Sequence, residues 1–198
     1  MNRRQFLSLA AFAALPAPRR LVAFGDSITV GVGASTPDRA YAAIVAHAYG
    51  RTLDNRAVSG SRIAEQVERI RTTTFLPGDL VVFLAGYNDM RAGTPLDEYR
   101  VALREALALI PCPAIVGTCL RMTPAGYAFG APRWNHGSDA AVAAYGAIIA
   151  EEAARFRVAQ MGAVDPAHTA DLTHPNDLGH AQIAGAMVAR VYLPDVRH

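Results

Sequence analysis

Leu80-Val81-Val82-Phe83-Leu84-Ala85 is an unbroken apolar run, and Gly86-Tyr87-Asn88-Asp89 ends it. A strand with one face in water alternates apolar and polar residues, whereas a strand covered on both faces does not. The run therefore predicts a central strand of a parallel sheet with helices on both sides. Residues 20–24 and 114–119 read in the same way. Residues 52–58 are more polar and predict an edge strand, and 157–164 supply a last one. Between the strands lie segments rich in helix formers. Residues 40–49 are one. Residues 61–71 carry Ile63, Val67 and Ile70 at helical spacing, with Ser61 as cap and Glu65 and Glu68 facing out. A third spans 95–110, with Thr94 as cap and Pro95 at the first helical position. Residues 138–156 and 176–192 are the others, the last weakened by Gly179 and Gly185.

Strands alternating with helices imply an α/β fold with right-handed crossovers. The expectation is a three-layer α/β/α sandwich on a five-stranded parallel sheet in the flavodoxin-like order 2-1-3-4-5. The chain has 198 residues, 52% of them hydrophobic and 18% charged. That suits one domain with a full core, here 18–198. A formal charge of +2 gives no field that would draw a nucleic acid, so none is expected as a partner.

Residues 1–17 read separately. Arg3-Arg4 precedes Phe6-Leu7 and an apolar stretch that ends at Leu15, before Pro16-Ala17-Pro18. This resembles a twin-arginine export signal, with Ala11-Phe12-Ala13 as a small-x-small cleavage site. The alternative is a short helix packed on the body. The apolar stretch is well short of the roughly 20 residues a bilayer span needs, so no stable membrane span is expected. The export reading places the protein in the periplasm or outside the cell, and otherwise it is cytoplasmic. Cys112 and Cys119 flank a predicted strand. Seven strand steps cover about 23 Å, beyond the roughly 7 Å between bridged α-carbons, so two free thiols are expected.

In a parallel sheet, ligands bind beyond the carboxyl ends of the strands. The first strand delivers Gly25-Asp26-Ser27 there, the second Ser59-Gly60-Ser61 and the third Gly86-Tyr87-Asn88-Asp89. The last leads to Asp171-Leu172-Thr173-His174. A serine after the first strand, with an aspartate and a histidine three residues apart near the other end, is raw material for nucleophilic hydrolysis. Residues 121–137 form the longest irregular stretch, carrying Tyr127, Phe129, Trp134 and His136. A loop that long in a compact domain is usually functional.

These blocks resemble the GDSL/SGNH hydrolase family, whose four blocks are named for Ser, Gly, Asn and His. They stand here, in family order, as Ser27 in Gly25-Asp-Ser-Ile-Thr29, Gly60, Asn88, and His174 before Pro175, over about residues 20–192. The resemblance implies a serine esterase acting on carboxylic or thio esters, lipid acyl chains and sugar acetates included, with no metal or cofactor. The chemistry of the residues agrees. Ser27 is the nucleophile, His174 the general base and Asp171 the group that orients it. The Ser27 N–H, the Gly60 N–H and the Asn88 side chain form the oxyanion hole. Tyr87, Tyr127, Trp134 and His136 are the candidate substrate-binding residues.

Asp171, His174, Asp177 and His180 form a poor metal cluster, and His180 reads instead as a helix residue behind the site. Asp26 and Asp89 read as turn residues. Gly31-Val32-Gly33 lacks the third glycine of a dinucleotide loop. Acyl transfer or deacetylation on a glycan stays open, as does a non-catalytic glycan-binding domain on the same scaffold. The partner is a small-molecule, glycan or lipid acyl ester.

Overall fold

A computed structural model of the chain describes residues 19–189. Residues 1–17, read above as an export signal, and the end of the last predicted helix lie outside the described residues. The chain runs through β1 (Arg20–Gly25), α1 (Ser27–Val30), α2 (Tyr41–Ala48), β2 (Thr52–Asn55), α3 (Ile63–Arg71) and β3 (Leu80–Leu84). It continues through α4 (Tyr87–Ala92), α5 (Leu96–Ala108), β4 (Ala114–Gly117), α6 (Pro124–Tyr127), α7 (Asp139–Glu152), β5 (Arg157–Ala159) and α8 (Asp177–Val188).

The five strands pair in parallel in the order β2-β1-β3-β4-β5, as the alternation predicted. Val82 stands opposite both Ala23 on β1 and Ile115 on β4. A right-handed crossover puts its helix on one face when the chain steps one way and on the other when it steps back. Accordingly α2, which joins β1 to β2, packs with α8, while α3, α5 and α7 pack side by side. β3 is buried along its whole length, and β1 at all but its first residue. Edge strand β2 is largely exposed, which is why it is polar.

The segment boundaries differ from expectation where side chains, not propensity, decide them. β2 stops at Asn55, because the Asn55 side chain accepts the Ala57 N–H and donates to the Thr29 carbonyl, turning the chain off the sheet. Helix α3 starts at Ile63, not at Ser61. Glu65 accepts the Arg62 N–H at 2.6 Å, which leaves Ser61 free for a different task. Pro95 is extended and precedes α5, so Thr94 is not its cap. Cys112 and Cys119 are free, and Cys119 is buried.

At the amino ends of the strands, Arg20 bonds Asp79 through two nitrogens and Asp54 through a third. Burial works against the Asp79 charge, but Arg20 and the Leu76 N–H hold its carboxyl below the usual range. This latch fastens the end of the sheet opposite the site. No helix among the described residues is long and apolar enough to cross a membrane.

Candidate active site

β1 ends by turning sharply into the one-turn helix α1. Asp26 caps that helix, its Oδ1 accepting the Ile28 N–H at 2.9 Å. Ser27 is thereby placed at the carboxyl end of β1. Its Oγ lies 3.0 Å from Nε2 of His174. The other ring nitrogen, Nδ1, lies 2.7 Å from Oδ2 of Asp171. A carboxylate beside Nδ1 fixes the proton there and leaves Nε2 free to accept one from Ser27. The remaining Asp171 oxygen accepts the backbone N–H groups of His174 and Thr173 at 2.8 and 3.2 Å. Burial opposes the charge on Asp171, but the His174 ring and these N–H groups hold its carboxyl below the usual carboxylate range.

The loop that carries Asp171 and His174 is held under strain. Leu172 has φ 76°, a left-handed conformation that costs a leucine about 1–2 kcal/mol. The next residue anchors it, since Thr173 Oγ1 donates to the Gly126 carbonyl at 2.7 Å and bonds the Tyr87 hydroxyl at 2.9 Å. Gly33 supports the same loop from the other side. Its φ is +94°, and a Cβ there would lie 2.2 Å from the Pro175 carbonyl oxygen. Gly33→Ala is therefore expected to push the His174 segment away. Since a displacement of about 1 Å can cost about 10² in rate, turnover should fall by at least about tenfold. Steady-state kinetics beside a circular dichroism melt would check this, and unchanged turnover in a folded variant would refute it.

Asn88 lies in the first turn of α4, buried, with Nδ2 donating to the Ser61 carbonyl at 3.1 Å. A second contact of that nitrogen, to Asp26 Oδ2, is long at 3.4 Å. Ser61, whose Oγ donates to the Gly25 carbonyl, therefore sets the Asn88 amide. Gly60 has φ +78°, and a Cβ there would meet no atom within 4 Å. Glycine is required at this position for its backbone conformation, and its outer side is open.

Ser27, Gly60, Asn88 and His174 border one pocket of about 310 Å³, and Val32, Arg91, Phe129 and Trp134 supply most of the remaining wall. The Phe129 ring meets the His174 ring edge-on at 5.8 Å. Of the four residues expected to bind substrate, only Trp134 borders this pocket. Tyr87 is buried beneath it, holding Thr173. Tyr127 accepts the Met122 N–H and donates to Asp139. His136 lies against Gly93, away from the pocket. The sequence reading missed Val32, Phe129 as a wall, and Arg91. The signal for Arg91 was its position one helical turn after Asn88. A separate hollow of about 450 Å³ lies between α7 and the ends of β4 and β5, and none of the four residues above borders it.

Two further carboxyls lie buried below the pocket. Burial pushes Asp26 up to about 6 and Asp89, whose Oδ2 accepts the Ile63 N–H, up to about 7. Both values exceed the unfolded one, so the folded state holds more protons between about pH 4 and pH 7, and stability falls as pH rises through that window. Asp89→Asn keeps an acceptor for Ile63 but has no proton to lose. The variant should lose less stability than the native chain between pH 5 and pH 8, by as much as a few kcal/mol at about 1.4 kcal/mol per pKa unit. Thermal melts at both pH values check this, and an unchanged difference would sink it. His180 is fully buried, with Nδ1 accepting the Tyr41 N–H and Nε2 donating to the Val32 carbonyl. Among the described residues no group of three or more His, Cys, Asp or Glu could hold a metal ion.

This sandwich, with serine, histidine and carboxylate hydrogen-bonded in series at the carboxyl edge of its sheet, is the architecture of a hydrolase. The sequence model of the GDSL-like lipase/acylhydrolase family matches residues 23–182, and the chain belongs to that family. Ester hydrolysis is thus its general activity. No curated protein matches the chain. Solved structures with the same fold include a member of the lipolytic protein G-D-S-L family from Veillonella parvula, at 18% identity and TM-score 0.68, covering 87% of this chain and 98% of that one. A carbohydrate acetylesterase from Sinorhizobium meliloti is similar at 14% identity and TM-score 0.68, with the same two coverages. An acetylxylan esterase from Geobacillus stearothermophilus is similar at 20% identity and TM-score 0.59, covering 90% and 96%.

Proposed function

We propose that the chain is a serine esterase for short acyl groups, working through an acyl-enzyme on Ser27. The observation that carries this reading is the continuous path from Ser27 Oγ through His174 to Asp171, with links of 3.0 and 2.7 Å. His174 Nε2 takes the Ser27 proton as Oγ attacks the ester carbonyl. Asp171 keeps the imidazole in the right tautomer and stabilises its charged form. The oxyanion is met by the Ser27 and Gly60 N–H groups and by the Asn88 amide. His174 then hands its proton to the departing alcohol, and a water activated by the same ring frees the acid. The chemistry needs neither a metal nor a cofactor.

A pocket of about 310 Å³ at the reacting serine favours a short acyl or a compact alcohol over a long chain. That two of the similar structures are acetylesterases accords with this. The test is hydrolysis of aryl esters from acetyl to long-chain acyl by the native chain. Activity that peaks at acetyl to butyryl is expected. A folded protein inert on every ester, or one that prefers the longest chains, would overturn the reading. Adding an alcohol acceptor and measuring product partitioning separates hydrolysis from acyl transfer.

A further inference from the structure

Arg91 is a buried cation in the wall of the pocket that holds Ser27. It stands one helical turn after Asn88, on the same side of α4. Its Nε donates to the Tyr127 carbonyl at 2.9 Å and one terminal nitrogen, Nη2, to the Phe129 carbonyl. Its guanidinium carbon lies 5.3 Å from the Tyr87 ring centroid and 5.5 Å from that of Trp134. These contacts aim the fork without neutralising it. Among the described residues no carboxylate reaches salt-bridge distance of Arg91. The two nearby acids are engaged elsewhere, Asp171 by His174 and Asp26 by Ile28 and Asn88. The last terminal nitrogen, Nη1, has no protein acceptor among the described residues.

A buried charge without a counter-ion is costly, and the cost is offset when an anion arrives in the same water-poor space. Carbonyl oxygens and aromatic faces accept the cation only in part. We infer that Arg91 is a specificity residue that binds a carboxylate carried by the ester, so that the preferred substrates are short esters bearing a second, anionic group. That carboxylate can sit on the acyl side, as in a half-ester of a dicarboxylic acid, or on the alcohol side, as in an acylated hydroxy acid. The inference rests on the ester-hydrolase reading for the bond that breaks, but the binding it claims does not.

The test uses two pairs of matched shape. Ethyl hydrogen succinate is set against ethyl isocaproate, and acetylglycolate against isobutyl acetate. Binding to Ser27→Ala protein is followed by nuclear magnetic resonance titration, which needs no turnover. In at least one pair the charged member should bind at least about tenfold tighter, and that pair identifies the side that carries the anion. Added salt should lessen the preference, and the charged-to-uncharged ratio should collapse in a Ser27→Ala/Arg91→Met protein. A purely structural role in holding residues 127–129 would weaken both members alike and leave the ratio intact. Should Arg91→Met fail to fold, Arg91→Lys, which lacks the two-pronged geometry, should lower the ratio as well. Tighter binding of the uncharged member in both pairs, or a ratio untouched by substitution at Arg91, overturns the inference. If Ser27→Ala binds the charged member but the native chain hydrolyses none of the four, the ester reading fails and the anion site stands. If all four are cleaved without regard to charge, the reverse holds.

Discussion

Replacing Ser27 with alanine is expected to lower ester turnover by about four to six orders of magnitude, or to background. That is about 5–8 kcal/mol of barrier. The loss is so large because no other group takes over: Ser27 Oγ bonds only His174 among the described residues, and without it the base has nothing to activate but water. The same geometry keeps the fold out of the result. Ser27 begins a helix, alanine is a better helix former, and the hydroxyl makes no contact that the body of the protein needs. The melting temperature should therefore stay put while activity vanishes. Adding His174→Ala to Ser27→Ala should cost almost nothing more, because the two residues act as one unit. Pre-steady-state and steady-state rates on an aryl acetate, with melts of each variant, decide the matter. Residual activity within tenfold of the native chain would mean that the nucleophile lies elsewhere.

The second large effect belongs to Asn88→Ala, expected to reduce kcat by about 10²–10³ with little change in KM. The Ser61 carbonyl holds one N–H of the amide, and only the long contact to Asp26 occupies the other. A weakly engaged donor in a buried site can turn to an oxyanion at small cost, and it gains most when charge develops there. Asn88→Asp should do at least as much harm, because it places an acceptor, and a possible charge, where a donor is needed. A raised KM with kcat unchanged would assign Asn88 to ground-state binding instead.

Much of this was legible in the sequence, for identifiable reasons. Residues 80–85 and 21–24 lack alternation because both of their faces are covered, and their partnership at the sheet centre follows. The five residues expected to carry catalysis stand out because each ends a strand or lies in a short motif, and the structure gathers four of them round one pocket with Asp171 behind His174. What stayed hidden is what packing alone decides. α1 and α4 are too short to show a period and are set by caps and by Gly86. Ser61 looked like a cap, but its carbonyl aims Asn88. Tyr87 and Tyr127 could have faced a ligand or the core, since an aromatic residue in a loop shows its direction only once the loop is folded. Arg91 carried a signal, a lone cation one turn from Asn88, but its lack of a counter-ion is a tertiary fact.

The position of β1 has a consequence for how the molecule comes into being. It is the first of the described strands in the chain, yet it lies inside the sheet, between β2 and β3. The β2 ladder pairs with it only as far as Ala23, and Phe24 and Gly25, just before Asp26 and Ser27, take Phe83 and Leu84 as their strand partners. A growing chain thus carries an apolar strand with one open side until β3 emerges. A second, shorter wait follows, since the five described strands are complete by Ala159 while His174, the proposed base, comes later in the chain. A chain ended between those two points would hold the five described strands without the residue proposed to activate Ser27.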